Sequence, residues 1–389
     1  MYKYERIKDK DIYNIIMLTI DTEKSVPKYL QLKEIIKRYL EDEHYKIGQK
    51  IPSETELIEQ FHVSRGTVRQ TLRELVNDGV IYTEKGRGSF FSGKIQEEQH
   101  RSYLIGVLTP MSSYIYPQII QGINDIAHQK HYSIVMGSSN DNPERELAHI
   151  ERFLKKHIDG LLIEPTGGAK LFQDSKLFHL LKELTIPVVF MDWAIDDPDV
   201  SYVSLDDVAG GFRATSYLIE AGHKRIACVY PNDNVPGTKR YQGYRKALAT
   251  YGVEYDQRLD KTAASLKLNT TDQIYRLTKE LIELGDDRPS AVFFYNDRSA
   301  LYGYAAIRET GLKIPDDLSV IGYDDSELAA LADVPLTSVI HPKYQSGKLA
   351  AEILFDQIEH NGQNMPRQLI INPTLAVRDS VKFLHCPHI

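Results

Sequence analysis

Cysteine, tryptophan and long apolar runs are scarce in this sequence of 389 residues. Its two cysteines, Cys228 and Cys386, cannot build a disulfide framework, and neither stands in a Cys-x-x-Cys or Cys/His cluster with metal-ligand spacing. The only N-terminal apolar stretch, residues 12–20, is about half the length of a membrane span and contains Asn14. We therefore expect a cytoplasmic protein of a reducing compartment that has no membrane partner.

Signatures of catalysis and of cofactor binding are also missing. The sequence contains no Gly-x-Ser-x-Gly nucleophile elbow, no Gly-x-x-x-x-Gly-Lys-Ser/Thr phosphate loop and no Gly-x-Gly-x-x-Gly after an apolar strand. Its 13 histidines show no His-Glu-x-x-His spacing. These absences predict a protein that is not an enzyme and that needs no cofactor and no metal.

An overall excess of basic charge is absent as well, because 47 Lys and Arg residues face 54 Asp and Glu residues, for a net charge of −7. Any surface for nucleic acid must therefore be local. The composition, 42% hydrophobic and 26% charged, is that of a globular protein. At ~150 residues per domain, the length predicts two or three folded units.

Three helices and a hairpin are predicted in residues 25–92. Apolar residues at three- and four-residue steps predict a helix over residues 27–40. Ser53, with an acidic residue three places on, caps a second helix that runs to about Gln60, and Ser64 caps a third that runs to about Asn77. Two short extended runs joined by a glycine-rich tip complete a winged helix-turn-helix (α+β).

The second half of this segment carries a local positive charge. Residues 61–94 contain six basic and three acidic residues, a net charge of +3. In the third helix we expect an apolar core face made of Val68, Leu72, Leu75 and Val76. The opposite face could then lie in a DNA major groove, and it consists of Gly66, Thr67, Arg69, Gln70 and Arg73.

Residues 1–24 show no clear period and are interpreted as an extension of unknown order, and the polar residues 93–101 as a linker. From residue 102 to residue 389, short apolar runs alternate with helical patterns, which predicts an α/β domain with two parallel sheets covered on both faces. The predicted strands are residues 104–109, 133–138, 160–164, 187–192, 202–206, 225–230, 291–296 and 318–322.

Polar residues follow these strands, at the edge where open α/β sheets bind ligands. Carboxylates, amides and one arginine beside aromatic rings suit a polyhydroxylated ligand, so a sugar is the predicted guest. The alternative is that several of these residues only cap the next helix, and we expect Asp206 and Asp297 to be caps or structural residues. Trp193 is expected in the core. The candidate ligand-binding residues are Tyr116, Glu164, Asp192, Arg240, Asn296, Asp324 and His341.

Motifs along the chain resemble those of two protein families. The N-terminal segment resembles the GntR family of winged-helix regulators through residues 48–54, 63–69 and 86–90, which read Gly-x-x-Ile-Pro-Ser-Glu, Val-Ser-Arg-x-Thr-Val-Arg and Gly-x-Gly-x-Phe. The remainder resembles the effector domain of the LacI/GalR family, itself similar to periplasmic sugar-binding proteins. Its motifs lie at residues 105–107, 159–161, 222–223, 240–243, 296–297 and 320–325.

This pairing of a GntR head with a LacI-type body resembles the family of arabinose repressors, and Tyr116-Pro117, Glu164-Pro165-Thr166 and His341-Pro342-Lys343 strengthen the match. The resemblance implies a homodimeric repressor that reads a palindromic operator on double-stranded DNA and releases it on binding L-arabinose. It also implies that the body consists of two subdomains, residues 102–204 with 343–371 and residues 205–342 with 372–389, that close on the sugar.

The resemblance further implies that Arg65, Thr67 and Arg69 contact DNA, with Gly86, Arg87 and Gly88 as the wing tip. With the capping residues and their neighbours, the candidate DNA-contacting residues are Ser53, Glu54, Ser64, Arg65, Gly66, Thr67, Arg69, Gln70, Lys85, Gly86, Arg87 and Gly88.

Several alternatives stay open from the sequence. A sugar-binding transport or sensor protein would have a similar cleft, and a glycosidase could use a carboxylate pair such as Asp324 with Glu164. Nothing in the residues distinguishes a repressor from an activator, and another pentose or a hexose could replace arabinose.

Overall fold

The computed structural model describes residues 27–41, 45–93, 101–167, 174–264, 271–360 and 365–384. The chain forms two compact units that divide between residues 100 and 101. The predicted extension, residues 1–24, and most of the predicted linker lie outside the described residues. Among the residues that the model describes, no helix is long and apolar enough to cross a membrane.

The N-terminal unit is a winged helix-turn-helix, as predicted. Its elements are α1 (Lys28–Glu41), α2 (Glu54–Phe61), α3 (Arg65–Asn77), β1 (Ile81–Glu84) and β2 (Gly88–Phe91). The expected caps are present, because Ser53 and Glu56 form a reciprocal capping box and the Thr67 N–H donates to the Ser64 hydroxyl at 3.1 Å. The two strands pair antiparallel, from Ile81 opposite Phe91 to Glu84 opposite Gly88.

The predicted core face of α3 is wrong at Val76, whose side chain is 40% exposed. Thr71 is fully buried instead, since it lies between Val68 and Leu75 on the same side of the helix. Its hydroxyl donates to the backbone carbonyls of Thr67 and Tyr29, so the buried position costs no unpaired polar group.

The C-terminal unit contains two six-stranded sheets. The first sheet and its helices, here called lobe 1, comprise β3 (Leu104–Thr109), α4 (Tyr116–Gln129), β4 (Ser133–Ser138), α5 (Pro143–Lys155), β5 (Gly160–Ile163), α6 (Lys176–Glu183), β6 (Val188–Met191), β7 (Ser201–Leu205), α12 (Lys343–Glu359) and β13 (Gln368–Ile371). Its strands are all parallel, in the order β13-β7-β6-β5-β3-β4.

The second sheet and its helices, here called lobe 2, comprise α7 (Asp207–Glu220), β8 (Ile226–Pro231), α8 (Val235–Thr250), β9 (Asp260–Ala263), α9 (Thr271–Ile282), β10 (Ala291–Phe294), α10 (Asp297–Glu309), β11 (Ser319–Asp324), α11 (Glu327–Leu331), β12 (Thr337–Ile340) and β14 (Thr374–Ala376). The order is β14-β12-β11-β10-β8-β9, and only β14 runs antiparallel to its neighbour.

The chain therefore passes between the lobes three times: after β7, between β12 and α12, and between β13 and β14. Apolar clusters cover both faces of each sheet, as expected for parallel sheets. All eight predicted strands are present within one to two residues of their expected ends. The prediction missed β9, β12, β13 and β14.

Candidate functional site

A cavity of about 100 Å³ lies between the two lobes, at the carboxyl ends of the parallel strands. All seven candidate ligand-binding residues line it. The lining also includes residues that the sequence did not single out as ligand contacts: Met111, Tyr114, Asp141, Asp207, Asn234 and Tyr295. Trp193 is both a core residue, as expected, and a lining residue: it is 2% exposed within the lobe 1 core and also borders the cavity.

Arg240 is the central cation of the site. Its Nε donates to the Asp207 carboxylate at 2.8 Å, and its Nη1 donates to the Tyr295 carbonyl at 2.7 Å. The guanidinium also lies 3.6 Å from the centre of the Tyr323 ring. Burial would lower the pKa of Arg240, but the carboxylates of Asp207 and Asp324 outweigh burial and raise it well above its ordinary value.

The position of Arg240 depends on a close approach of α7 and α8. A Cβ atom on Gly243 would lie 2.2 Å from the Val208 carbonyl oxygen, and one on Gly211 would lie 2.0 Å from the Arg240 carbonyl oxygen. Only glycine fits at these two contacts. The spacing between Arg240 and Gly243, part of the resemblance, therefore has a packing reason.

Glu164 faces the cavity from lobe 1 with one oxygen satisfied. Its Oε1 accepts a hydrogen bond from the Tyr116 hydroxyl at 3.2 Å, whereas Oε2 is buried without a hydrogen-bond partner among the described residues. Burial, and then the nearby Asp192, raise the pKa of Glu164 well above its ordinary value. A ligand hydroxyl could satisfy the free oxygen.

Among the hydrogen bonds that join the lobes, two of opposite direction end on carboxylates that line the cavity. The Tyr114 hydroxyl of lobe 1 donates to Asp324 Oδ2 of lobe 2 at 2.7 Å. His341 Nε2 of lobe 2 lies 2.9 Å from Asp192 Oδ1 of lobe 1. Burial would lower the pKa of His341, but Asp192 outweighs burial and raises it. We call these two contacts the cross-lobe bridges.

Tyr114 also accepts a hydrogen bond from the Asp297 N–H at 3.2 Å, and the Arg298 guanidinium lies 4.6 Å from the centre of its ring. The sequence singled out Tyr116, through Tyr116-Pro117, and gave no signal for Tyr114. The contacts of Tyr114 are with lobe 2 residues far along the chain.

Two buried atoms of lobe 2 residues that line the cavity have no hydrogen-bond partner among the described residues, namely Asp324 Oδ1 and His341 Nδ1. Asp324 Oδ1 lies 3.4 Å from Arg240 Nη1, which is an ion-pair distance without a hydrogen bond. Both atoms are therefore available to hydrogen-bond a polar ligand.

Four lining residues have a left-handed backbone that residues other than glycine rarely adopt. The φ angles are 70° at Tyr114, 55° at Asp141, 54° at Asp192 and 98° at Asp324. Such conformations persist where the surrounding structure holds them, and they concentrate at binding sites. The cavity wall is therefore built in advance of binding.

The helix-capping alternative holds for some of the polar residues. Asp206 caps α7, as expected, by accepting from the Ala209 N–H at 2.9 Å. Asn296 caps α10 through its Oδ1 and also lines the cavity, so both interpretations apply to it. Asp297 is no cap, but it is structural: it accepts from the Ser326 N–H and the Ser338 hydroxyl, and burial raises its pKa to about 7.

Acceptors predominate in the lining. Five carboxylates (Asp141, Glu164, Asp192, Asp207 and Asp324) face the cations Arg240 and His341. Among the described residues, no group of three or more His, Cys, Asp or Glu side chains is placed to hold a metal ion. The cavity suits an uncharged ligand that donates many hydrogen bonds.

The candidate DNA-contacting residues form a second surface, on the N-terminal unit. Glu54, at the start of α2, lies 3.1 Å from Arg69 Nε and 3.7 Å from Arg65 Nε, so it joins α2 to the exposed face of α3. Gly66 and Gln70 share this exposed face, and Thr67 is half-buried beside them. The hydroxyls of Ser53 and Ser64 cap their helices.

The wing-tip residues Lys85, Gly86, Arg87 and Gly88 lie at the exposed end of the β1–β2 hairpin. Arg87 pairs with Glu84 and stacks 5.6 Å from the centre of the Phe90 ring, so its described contacts are within its own hairpin. Glycines 86 and 88, at φ of 80° and 113°, allow the tight tip.

Comparison with protein families gives two matches in chain order. Residues 28–91 match the model of bacterial regulatory proteins of the gntR family. Residues 215–381 match the model of a periplasmic binding protein-like domain.

Curated relatives match over most of the chain. An arabinose metabolism transcriptional repressor of Geobacillus stearothermophilus is 35% identical over 362 residues, which cover 92% of this chain and 99% of that protein. The ribose operon repressor of Escherichia coli K12 is 32% identical and covers 72% of this chain and 83% of that protein. Among solved structures, a transcriptional regulator CelR–cellobiose complex aligns with a TM-score of 0.65 at 28% identity, covering 82% of this chain and 91% of that one.

The first prediction concerns the Tyr114 bridge. Tyr114→Phe keeps the ring but leaves Asp324 Oδ2 and the Asp297 N–H without their hydroxyl partner, so we expect a loss of about 1.5–3 kcal/mol in the free energy of unfolding. Urea unfolding followed by the fluorescence of Trp193, the single tryptophan, measures it. Tyr103→Phe is the control, since Tyr103 is 54% exposed. Equal effects of the two substitutions would contradict a role of the hydroxyl in joining the lobes.

Proposed function

The chain belongs to the family of arabinose metabolism transcriptional repressors, and from this membership we propose that it is a homodimer that releases its operator when one L-arabinose molecule binds between the lobes. It is a DNA-binding repressor of sugar metabolism with a small sugar as effector, and it is not an enzyme. The identity of the sugar, the contacting residues and the dimer are the proposal.

The cavity between the lobes is the observation that carries the proposal. Its volume of about 100 Å³ corresponds to roughly seven to ten water molecules at ~10–15 Å³ of accessible volume each. A pentose has ten heavy atoms of similar size, whereas a disaccharide has more than twice as many. The cavity therefore fits a monosaccharide.

The lining favours an uncharged sugar. Sugar hydroxyls can donate to the free oxygens of Glu164 and Asp324, and His341 Nδ1 can take a further hydroxyl. Arg240, held from three sides, presents a fixed guanidinium to the ring oxygens. The acidic lining disfavours a phosphate or carboxylate group on the ligand, because Arg240 is already paired with Asp207 and Asp324.

The choice of L-arabinose depends on the named relatives rather than on a contact. Two arabinose metabolism transcriptional repressors match over 92% and 91% of this chain, at 35% and 31% identity. The match to the ribose operon repressor covers 83% of that protein, so D-ribose is the competing pentose.

The proposed switch is a change in the angle between the lobes. The ligand would contact Glu164 and Tyr116 of lobe 1 and Arg240, Asn296, Asp324 and His341 of lobe 2, so it stabilises the closed angle. A coupling of about 1–3 kcal/mol would weaken operator binding roughly 5- to 150-fold, and operator would weaken sugar binding by the same factor.

The dimer would carry the signal to two DNA-reading heads whose spacing matches two half-sites. The short helix α11 supports a dimer contact, because Leu331 is 80% and Leu328 53% exposed on it. Unpartnered leucines on one helix mark a surface for association. A protein that acts on operator DNA works in the cytoplasm.

Other functions have weaker support. A transport or sensor protein has no use for a winged helix. For a glycosidase, the described residues around Asp324 and Glu164 show no arrangement that would activate a nucleophile or a water molecule. The activator alternative lacks support among the named relatives, which are repressors.

The second prediction tests the sugar site. Arg240→Ala should abolish the response to sugar and leave operator binding without sugar intact, because it removes the fixed guanidinium of lobe 2. The wild type is screened by thermal shift against L-arabinose, D-ribose and hexoses, since a ligand at 100 times its Kd adds about 2.7 kcal/mol. Lys246→Ala, exposed on the same helix, is the control. Unchanged sugar affinity in Arg240→Ala by calorimetry would refute its role.

The third prediction tests the DNA surface. Arg69→Ala should weaken operator binding by about 1–3 kcal/mol if Arg69 reads a base edge. Fluorescence anisotropy with operator and with scrambled DNA measures it, and Arg38→Ala, an exposed charge loss on α1, is the control. A loss equal on both DNAs would make Arg69 a phosphate contact instead.

The fourth prediction tests the dimer. Leu331→Lys places a charge on the exposed face of α11 and should shift the protein toward monomer in sedimentation equilibrium. Val377→Lys, at a residue 58% exposed elsewhere, should leave the mass unchanged. A wild-type protein that sediments as a monomer would rule out the proposed interface.

A further inference from the structure

Lys343 is a buried lysine at a passage between the lobes. It is 7% exposed, and the other buried lysines of the described residues, Lys33 and Lys37, lie in the N-terminal unit. Lys343 follows β12 of lobe 2 and is the first residue of α12 in lobe 1. An ammonium group is strongly hydrated in water, so its burial here requires compensating contacts.

Three backbone carbonyl oxygens surround the Nζ atom of Lys343. They belong to Asp324 at 2.7 Å, Asp325 at 2.8 Å and His341 at 3.2 Å. A lysine ammonium has three N–H donors, so these carbonyls occupy all of them. The side chain therefore reaches from the start of a lobe 1 helix back to the turn that ends β11.

This turn has an unfavourable backbone. Asp324 and Asp325 follow one another with φ angles of 98° and 48°, and residues with a side chain rarely adopt either conformation. Their two carbonyls are the ones that Lys343 binds at the shorter distances. The ammonium thus stabilises a strained turn.

The strained turn sends two neighbouring carboxylates in different directions. Asp324 lines the cavity, where it receives the Tyr114 hydroxyl and faces Arg240. Asp325 pairs instead with Arg378 at 2.6 Å, and its N–H donates to the Ser338 hydroxyl at 3.0 Å. The backbone conformation at this turn therefore decides whether Asp324 faces a ligand.

The other end of the Lys343 side chain is fixed to lobe 1. A Cβ atom on Gly347 of α12 would lie 2.0 Å from the Ile119 carbonyl oxygen of α4, and one on Gly122 of α4 would lie 2.1 Å from the Tyr344 carbonyl oxygen. Helices in such close contact move together. Rotation of one lobe against the other at residues 340–343 therefore displaces Nζ relative to the turn.

We infer that Lys343 is a positioning residue that holds Asp324 in its ligand-facing conformation while the lobes stand at the closed angle. The inference rests on the proposed function, because it assigns Lys343 a part in sugar binding. One side chain thereby couples the angle between the lobes, at the passage from β12 to α12, to the orientation of the Asp324 carboxylate.

The test compares Lys343→Met with Lys348→Met. Methionine matches the length of lysine but has no donor, and Lys348 is a half-buried lysine further along α12 that is paired with Glu352. Calorimetry uses the sugar that gives the largest thermal shift with the wild type, and anisotropy measures operator binding without sugar. We expect Lys343→Met to bind sugar at least tenfold more weakly and operator within twofold of the wild type, and Lys348→Met to match the wild type in both.

A second substitution separates positioning from general stability. Glycine adopts the left-handed conformation without strain, so it needs no lysine to hold the turn. Asp325→Gly in the Lys343→Met background should therefore recover part of the lost sugar affinity, with Asp325→Gly alone as the reference. A purely structural role of Lys343 predicts no recovery.

The inference fails if Lys343→Met binds sugar as the wild type does, or if sugar and operator affinity fall in the same proportion. Where Lys343→Met does not fold, Lys343→Arg replaces it with the same expectation, because a planar guanidinium cannot direct three N–H groups at these three carbonyls. A wild type that binds no sugar refutes the proposed function as well, whereas sugar binding that is equal in wild type and variant refutes only the role of Lys343.

Discussion

The buried guanidinium of Arg240 is the contact on which the architecture of lobe 2 at the cavity depends. It joins α8 to α7 through Asp207, to the end of β10 through the Tyr295 carbonyl and to β11 through Tyr323 and Asp324. A buried charge is tolerated only where partners surround it, and each of these carboxylates is buried as well. The four elements are thereby held in one arrangement, with the guanidinium at the surface of the cavity.

Buried carboxylates also join the two lobes to each other. In one cross-lobe bridge a tyrosine of lobe 1 donates to an acid of lobe 2, and in the other a histidine of lobe 2 pairs with an acid of lobe 1. Both acids also line the cavity. Under the proposed function, closure and ligand binding therefore use the same carboxylates, and a ligand that binds one of them alters the balance between the open and closed angles of the lobes.

Local chemistry made much of the fold predictable. The helix starts at Ser53 and Ser64 follow from hydroxyls that accept nearby N–H groups, and β3 and β4 follow from uninterrupted apolar runs. Strands β9, β13 and β14 lie at sheet edges and, like β12, mix polar with apolar residues. They therefore lack the uninterrupted apolar run that identified β5, β6 and β10, which are about as short.

The residues that the sequence missed depend on distant contacts. Thr71 replaces Val76 in the core of α3 because its hydroxyl finds the Tyr29 carbonyl across the unit. Tyr114 matters because Asp324 and Asp297 lie opposite it. By contrast, parallel topology alone brings Glu164 and Asp192 to one edge of the lobe 1 sheet, and the two facing lobes that the resemblance implied add Asp324 from the lobe 2 sheet.

The predominance of carboxylates in the cavity has a consequence for what the protein reports to the cell. A free sugar can enter, but a phosphate ester on the same sugar meets a lining of five acidic side chains, in which Arg240 is already paired with Asp207 and Asp324 and His341 with Asp192. The first kinase to act on the sugar would therefore erase the signal. Under the proposed function, the repressor responds to free sugar that has not yet been metabolised. Transcription therefore decreases again once the sugar is consumed as fast as it is taken up.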